Sequence, residues 1–253
     1  MKTMTFITGA SRGLGLALAR ASLKPGDTVI TMERNPVPDL VEQAQSIGCE
    51  FVQFPVNLID LNAGISLLQW WLAQGGTETF ERIILINNAG TLGPVGFIEE
   101  QKSQAVADCL RINYESPMLL TQAFLRETQS LKAEKRIMNI STGAARRSVP
   151  GWAMYCSTKA ALDRFTATVA MDESRKENGA KLCSIAPGVV DTDMQKNVRS
   201  CDPYDFPQVE RFEALYQNKQ LSKPYEVAQK LLRYLLSDAF GLEPIADIRN
   251  INC

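Results

Sequence analysis

Thr8-Gly9-Ala10-Ser11-Arg12-Gly13-Leu14-Gly15 closes an apolar run that begins at Thr3 and opens a helical stretch reaching about Leu23. A strand that ends in glycines and passes at once into a helix lets the backbone turn tightly and approach a ligand closely. The helix N-terminus then offers unpaired N–H groups and the positive end of a dipole to an anion. The spacing is TGxxxGxG rather than GxGxxG, and a bare strand-to-helix turn without ligand remains open on these residues alone.

Outward from this turn the same rhythm repeats. Residues 28–32, 51–56, 83–86, 136–140 and 182–186 read as further buried strands. Between them lie a helix carrying Trp70 and Trp71, a long helix over about 104–127, and another over about 153–174. Strand-helix alternation implies parallel strands joined by right-handed crossovers, hence an α/β, doubly wound parallel sheet with helices on both faces. Residues 200–224 break the rhythm with Tyr204, Phe206, Phe212 and Tyr216, and read as a substrate-covering insert before the last helix. No repeat or linker divides the chain, so residues 1–253 are expected to form a single domain.

Composition narrows the chemistry. Lys plus Arg total 27 against 28 Asp plus Glu, a net charge of -1, which gives no reason to expect nucleic acid or an anionic membrane as partner. No apolar run approaches the roughly 20 residues of a membrane span. The six cysteines form no CxxC pair, and the N-terminus carries no secretory pattern, so a reduced, cytoplasmic setting is expected. Histidine is absent, which removes Ser-His-Asp and Cys-His catalysis and any His-ligated zinc site; no metal is expected.

The acid-base group must therefore come from another side chain. Tyr155 and Lys159 are four apart on the helix over 153–174 and so share a face. A neighbouring ammonium favours the phenolate and can lower a phenol from about 10 by roughly 1–3 units. Asn87-Asn88-Ala89-Gly90 ends the fourth strand, Ser141-Thr142 the fifth, and Pro187-Gly188-Val189-Val190-Asp191-Thr192 the sixth. All lie at the carboxyl edge, where sheets of this kind bind ligands. Asn113 has Pro117 four residues later, which leaves its carbonyl without a helical donor and free to hold a water. An amphipathic helix face and a kinked core helix remain the plain alternatives for Tyr155-Lys159 and Asn113 taken singly. Near the adenosine end, Glu33 favours ribose hydroxyls and NAD, whereas Arg12 and Arg34 can clamp a 2′-phosphate. The balance points to NADPH, with NADH the alternative and Glu33 paired with an arginine or turned outward.

Taken together, these motifs resemble the short-chain dehydrogenase/reductase family over nearly the whole chain. The resemblance implies a Rossmann-like domain and hydride transfer from NAD(P)H. Tyr155 would be the acid-base, Lys159 would bind the nicotinamide ribose and lower the Tyr155 pKa, and Asn113 would hold a relay water. The family hydroxyl, 13 residues before the tyrosine, falls on Thr142, with Ser141 as fallback. The cofactor would lie against Gly9, Ser11, Arg12, Gly13, Leu14 and Gly15 of the first turn. Arg34 and Asn35 after the second strand, Asn57 and Leu58 after the third, and Asn88, Ala89 and Gly90 after the fourth would follow, then Val190, Thr192 and Met194 after the sixth. Asn57 stands where the family often has Asp.

A narrower resemblance, carried by Gly151-Trp152-Ala153-Met154-Tyr155-Cys156, Asp191-Thr192-Asp193-Met194-Gln195 and residues 219–232, is to sepiapterin and bacterial benzil reductases. It implies reduction of one carbonyl of an aromatic or bicyclic 1,2-dicarbonyl, with Thr142, Trp152, Tyr155, Gly188 and Asp247 against the substrate. It also implies a homodimer or homotetramer using the helices of Asn113 and Tyr155. An NAD-dependent alcohol or sugar dehydrogenase and a non-catalytic cofactor sensor are the other readings. The complete Tyr155, Lys159 and Asn113 set argues against a sensor.

Overall fold

The computed structural model describes residues 1–74 and 76–251, so Cys253 lies outside the described residues. The strands are β1 (Thr3–Thr8), β2 (Thr28–Glu33), β3 (Glu50–Pro55), β4 (Arg82–Asn87), β5 (Glu134–Ile140), β6 (Lys181–Ala186) and β7 (Ile245–Asp247). They form one seven-stranded sheet, every pair parallel, in the order β3-β2-β1-β4-β5-β6-β7. The helices are α1 (Gly13–Ser22), α2 (Pro38–Ile47), α3 (Leu61–Ala73), α4 (Ser103–Leu110), α5 (Ser116–Thr128), α6 (Ala153–Glu173), α7 (Asp193–Arg199), α8 (Val209–Gln217) and α9 (Pro224–Leu236).

The central strands are apolar at successive positions because both faces of the sheet are covered. Alternate residues serve opposite cores. Ile84 and Ile86 join the core under α1 and α9, whereas Ile83 and Leu85 join the core under α3 and α5. The strand order reverses between β1 and β4, and the carboxyl ends of those strands border the crevice.

Three departures from the sequence reading have local causes. The helix expected over 104–127 is interrupted: Arg111–Glu115 forms a π-helical turn in which the Ser116 N–H reaches back to the Arg111 carbonyl. Pro117 follows that turn and supplies no N–H of its own. Helix α2 starts on Pro38 and stops at Gly48, whose left-handed backbone (φ 76°) ends it. It is too short and too polar to register as a strong apolar periodicity. Strand β7 has only three residues and exists because it pairs with Ser184–Ala186 of β6.

Candidate active site

The crevice is built first by the glycine turn. Gly9 has φ +70° and sits so close to β4's end that a Cβ would meet the Ala89 backbone at 2.9 Å. A Cβ on Gly15 would strike the carbonyl oxygen of Gly9. Thr8 ties the two turns together, its hydroxyl oxygen accepting from the N–H groups of Asn88 and Ala89, both at 3.0 Å. The Asn88 amide returns a bond to the Thr8 carbonyl at 3.0 Å. Thr8 does this as the last residue of β1, and the glycine spacing carries no sign of the role. No side chain caps α1, so its first N–H groups face the crevice unclaimed.

Gly9, Ser11, Arg12, Gly13, Leu14 and Gly15 line the crevice, as do Arg34, Asn57, Leu58, Asn88, Ala89 and Gly90. Val190, Thr192 and Met194 line it from the far side, with Thr192 capping α7 by accepting the Gln195 N–H at 3.4 Å. Asn35 is exposed on the turn after β2 and is not among the lining residues. Glu33 is neither paired with an arginine nor turned outward. It is buried, one carboxyl oxygen accepts the Thr31 hydroxyl at 3.1 Å, and the other has no partner. Burial pushes its carboxyl up to about 7, against the lowering effect of Thr31. Arg12 pairs with Asp193 at 3.2 Å, and among the described residues no carboxylate lies within ion-pair reach of Arg34.

At the other end, Ser141, Thr142, Trp152, Tyr155, Lys159 and Gly188 line the same crevice. Tyr155 and Lys159 occupy one face of α6, both buried. The expected depression of the tyrosine by the lysine is not what this packing produces. Burial pushes the Tyr155 phenol up to about 12, opposed by a hydrogen bond with the Thr142 side chain. Burial likewise pulls Lys159 down to about 8, opposed by Asp163. The Lys159 ammonium donates to the Ile140 carbonyl at 2.8 Å. Thr142 sits beside the phenol and also accepts the Ala144 N–H at 3.2 Å. The Ser141 hydroxyl is buried without a hydrogen-bond partner.

Asn113 lies behind the crevice wall rather than on it. It is fully buried, its amide oxygen accepting the Thr91 N–H at 2.8 Å and its amide nitrogen donating to the Thr91 carbonyl at 2.8 Å. The same nitrogen reaches the Thr158 hydroxyl at 3.2 Å. Gly90 separates Asn113 from Lys159: a Cβ there would meet the Asn113 amide oxygen at 3.3 Å and the Lys159 ammonium at 3.5 Å. Thr91 and Thr158 are thus part of this assembly, and only the adjacency of Thr158 to Lys159 hinted at it.

The substrate end has an aromatic wall. Trp152 stands edge-on to Tyr155 at 5.4 Å, stacks on Phe206 at 4.7 Å and meets Phe212 at 5.6 Å. Phe212 of α8 lines the crevice, whereas Tyr204 packs outside it on Phe97 and Tyr216 sits against Arg199. Asp247 also lines the crevice, but both of its carboxyl oxygens are already taken. One accepts from the Arg249 N–H and Nε at 3.0 and 2.9 Å, the other from Nη2 at 2.6 Å. That clasp was invisible in the sequence.

A parallel sheet with a phosphate-sized glycine turn at its switch point, opposite a buried Tyr-Lys face, defines a nicotinamide-dependent oxidoreductase. The chain belongs to the short chain dehydrogenase family, whose family model matches residues 3–202. It is 36% identical over 234 residues to a benzil reductase ((S)-benzoin forming) of Bacillus cereus, covering 92% of this chain and 94% of that one. To sepiapterin reductase of Rattus norvegicus it is 33% identical over 246 residues, covering 92% and 91%. The KRED1-Pglu enzyme superposes with a TM-score of 0.80 at 27% identity, over 95% of this chain and 98% of that one. Among the described residues, no helix is long and apolar enough to cross a membrane and the five cysteines are free.

Proposed function

We propose that this chain is an NADPH-dependent carbonyl reductase acting on one carbonyl of an aromatic or bicyclic 1,2-dicarbonyl, with Tyr155 as proton donor. The observation that carries the reading is the meeting of Thr142, Tyr155, Trp152 and Phe212 at one end of the crevice whose other end is the glycine turn. The relatives named above as benzil and sepiapterin reductases support the same substrate class.

The residues fit a dinucleotide. The cradle at Gly9 and Gly15 leaves no room for side chains, and α1 presents uncapped N–H groups toward it. Arg34 is free to meet a 2′-phosphate, and a Glu33 carboxyl that is about half neutral near pH 7 repels such a phosphate less than a full carboxylate would. When bound, the cofactor supplies a hydride. Tyr155 keeps its proton at neutral pH and gives it to the carbonyl oxygen. Thr142 orients that oxygen by hydrogen bonding, and Trp152 and Phe212 hold the aromatic part and exclude water. Lys159, one helical turn on, is mostly charged at neutral pH and makes the phenolate left behind less costly. Asn113 is assigned the relay water through which Tyr155 regains a proton.

A cytoplasmic homodimer or homotetramer accompanies this reading. Leu110 of α4 and Met171 of α6 are exposed apolar side chains that such an assembly would cover. The test is NADPH consumption followed by absorbance with benzil, sepiapterin and simple aliphatic ketones in parallel. Turnover of benzil or sepiapterin with much higher kcat/KM than the simple ketones is expected; consumption with the simple ketones alone would overturn the substrate class.

A further inference from the structure

The chain as a whole carries a net charge of -1, yet the substrate end of its crevice is ringed by guanidinium groups. Arg146, Arg147, Arg211 and Arg249 all line it, against a single carboxylate there, Asp247. Tracing each charge to its partner shows which of them remain available. Arg249 is consumed by Asp247, which it grips at both oxygens. Arg146 is anchored too, with Nε 3.5 Å from the Asp163 carboxylate and Nη2 donating to the Ala246 carbonyl at 2.7 Å.

Arg147 and Arg211 are left. Arg147 is exposed, and among the described residues no carboxylate lies within ion-pair reach of it. It ends the short turn that Thr142 begins, so its backbone is placed by the residue that faces the phenol. Arg211 has only a neutral partner, donating to the Gln208 amide oxygen at 3.2 Å. It precedes Phe212, and its guanidinium carbon lies 5.7 Å from the Phe212 ring centroid, so it rides on the aromatic wall. Two cations without a carboxylate partner among the described residues thus line the crevice, Arg147 at the end of the turn that begins at the oxygen-binding Thr142 and Arg211 beside the ring-binding Phe212. Such an arrangement concentrates positive potential in a cleft and suits the planar, two-oxygen geometry of a carboxylate.

We propose that Arg147 and Arg211 form an anion-reading subsite, and that the substrates taken best are aryl 2-oxo acids rather than neutral dicarbonyls. This rests on the proposed carbonyl reductase reading and narrows it. The aromatic ring would lie on Trp152 and Phe212, the ketone at Thr142 and Tyr155, and the carboxylate toward the two guanidiniums. The 2′-phosphate of the cofactor would meet its own cation, Arg34, at the other end of the crevice.

The test uses benzoylformate, its methyl ester and benzil with the wild type, Arg147→Ala, Arg211→Ala and the double variant. In the wild type, kcat/KM should favour the acid over the ester. In the double variant the acid-to-ester ratio should fall by about 10²-fold or more, the size expected for losing two charge-assisted hydrogen bonds. NADPH affinity, read by cofactor fluorescence, should stay within about twofold, which separates anion reading from a general loss of positive potential. An unchanged ratio, or a parallel loss of NADPH affinity, overturns the proposal. If the alanine variants fail to fold, Arg147→Gln and Arg211→Gln keep the side-chain stems and remove the charge. A readout independent of turnover is calorimetric binding of benzoylformate to the protein saturated with NADP⁺. Binding in the wild type that the double variant loses supports the subsite even if no dicarbonyl is reduced, in which case only the wider reading falls. No binding in the wild type, or equal binding in the variant, overturns it.

Discussion

Glu33 and Thr31 share a buried hydrogen bond of 3.1 Å on β2, and it engages only one oxygen of the carboxyl. Two residues apart on a strand, they point to the same side. The hydroxyl cannot make good what the carboxylate loses on leaving water, and the group titrates near 7.

This has a consequence for stability. The folded chain holds the Glu33 proton more tightly than the unfolded chain does. Its stabilising contribution is therefore full below the ordinary glutamate range, at about pH 4, and is lost as pH rises through about 7. Glu33→Gln keeps the shape and removes the titration. It should melt like the wild type at about pH 4, and above it by roughly 4–8 °C at about pH 8, for a difference near 2–3 kcal/mol. Melting curves across that range check this; parallel curves for the two proteins would contradict it.

Tyr155→Phe should keep cofactor binding and lower turnover by about 10²-fold or more, because the ring remains and the phenolic proton beside Thr142 is gone. In the wild type the phenol holds its proton to about pH 12, while Lys159 loses charge above about pH 8. Carbonyl reduction should then be level below about pH 8 and decline above it. A rate that instead rises through this range would place the proton elsewhere.

Thr142→Ala should reduce kcat by about 10²–10³-fold, as removal of an oriented donor to a developing oxyanion typically does. Ser141→Ala should have a much smaller effect on kcat, since its hydroxyl engages nothing. Relieving that unpaired buried hydroxyl should leave stability equal or slightly higher. Steady-state kinetics beside melting temperatures tell the two residues apart.

Arg34→Ala should raise the Kd for NADPH by roughly 10–100-fold and leave that for NADH nearly unchanged, because a charged bond to phosphate contributes about 1.5–3 kcal/mol. Arg12→Ala should do less, since Asp193 already occupies that guanidinium. Fluorescence titration with both cofactors measures each. A wild type that prefers NADH would make Glu33 the selector.

Much of the crevice was legible because strand ends are legible. Where apolar runs give way to Gly, Asn, Ser or Thr at one sheet edge, neighbouring strands bring those residues together, as with Asn88, Thr142 and Gly188. Pair contacts made over long chain distances were not legible. Nothing local tells that Arg146 will reach the Asp163 carboxylate and the Ala246 carbonyl, or that β7 will carry Asp247 to the crevice. Burial of single side chains was likewise hidden. Glu33 reads as an exposed selector, yet the packing around β2 encloses it. The direction of the Tyr155 shift was misread for the same reason: charge proximity follows from helical spacing, whereas desolvation depends on the whole surrounding wall.

The wide turn at Arg111–Glu115 makes chain length itself a constraint. Within it Asn113 is bound to Thr91; beyond it, the Asn87 amide reaches the Pro117 carbonyl at 3.4 Å and the Thr121 hydroxyl at 3.3 Å. One segment, from Asn87 to Thr91, thus grips the helix both within the wide turn and beyond it. Deleting a single residue there would let the helix regularise and would swing everything beyond by about 100° relative to everything before. Both grips could not then hold together. Among homologous chains this stretch should hold its length, so it serves as a fixed ruler against which the rest of the sequence can drift.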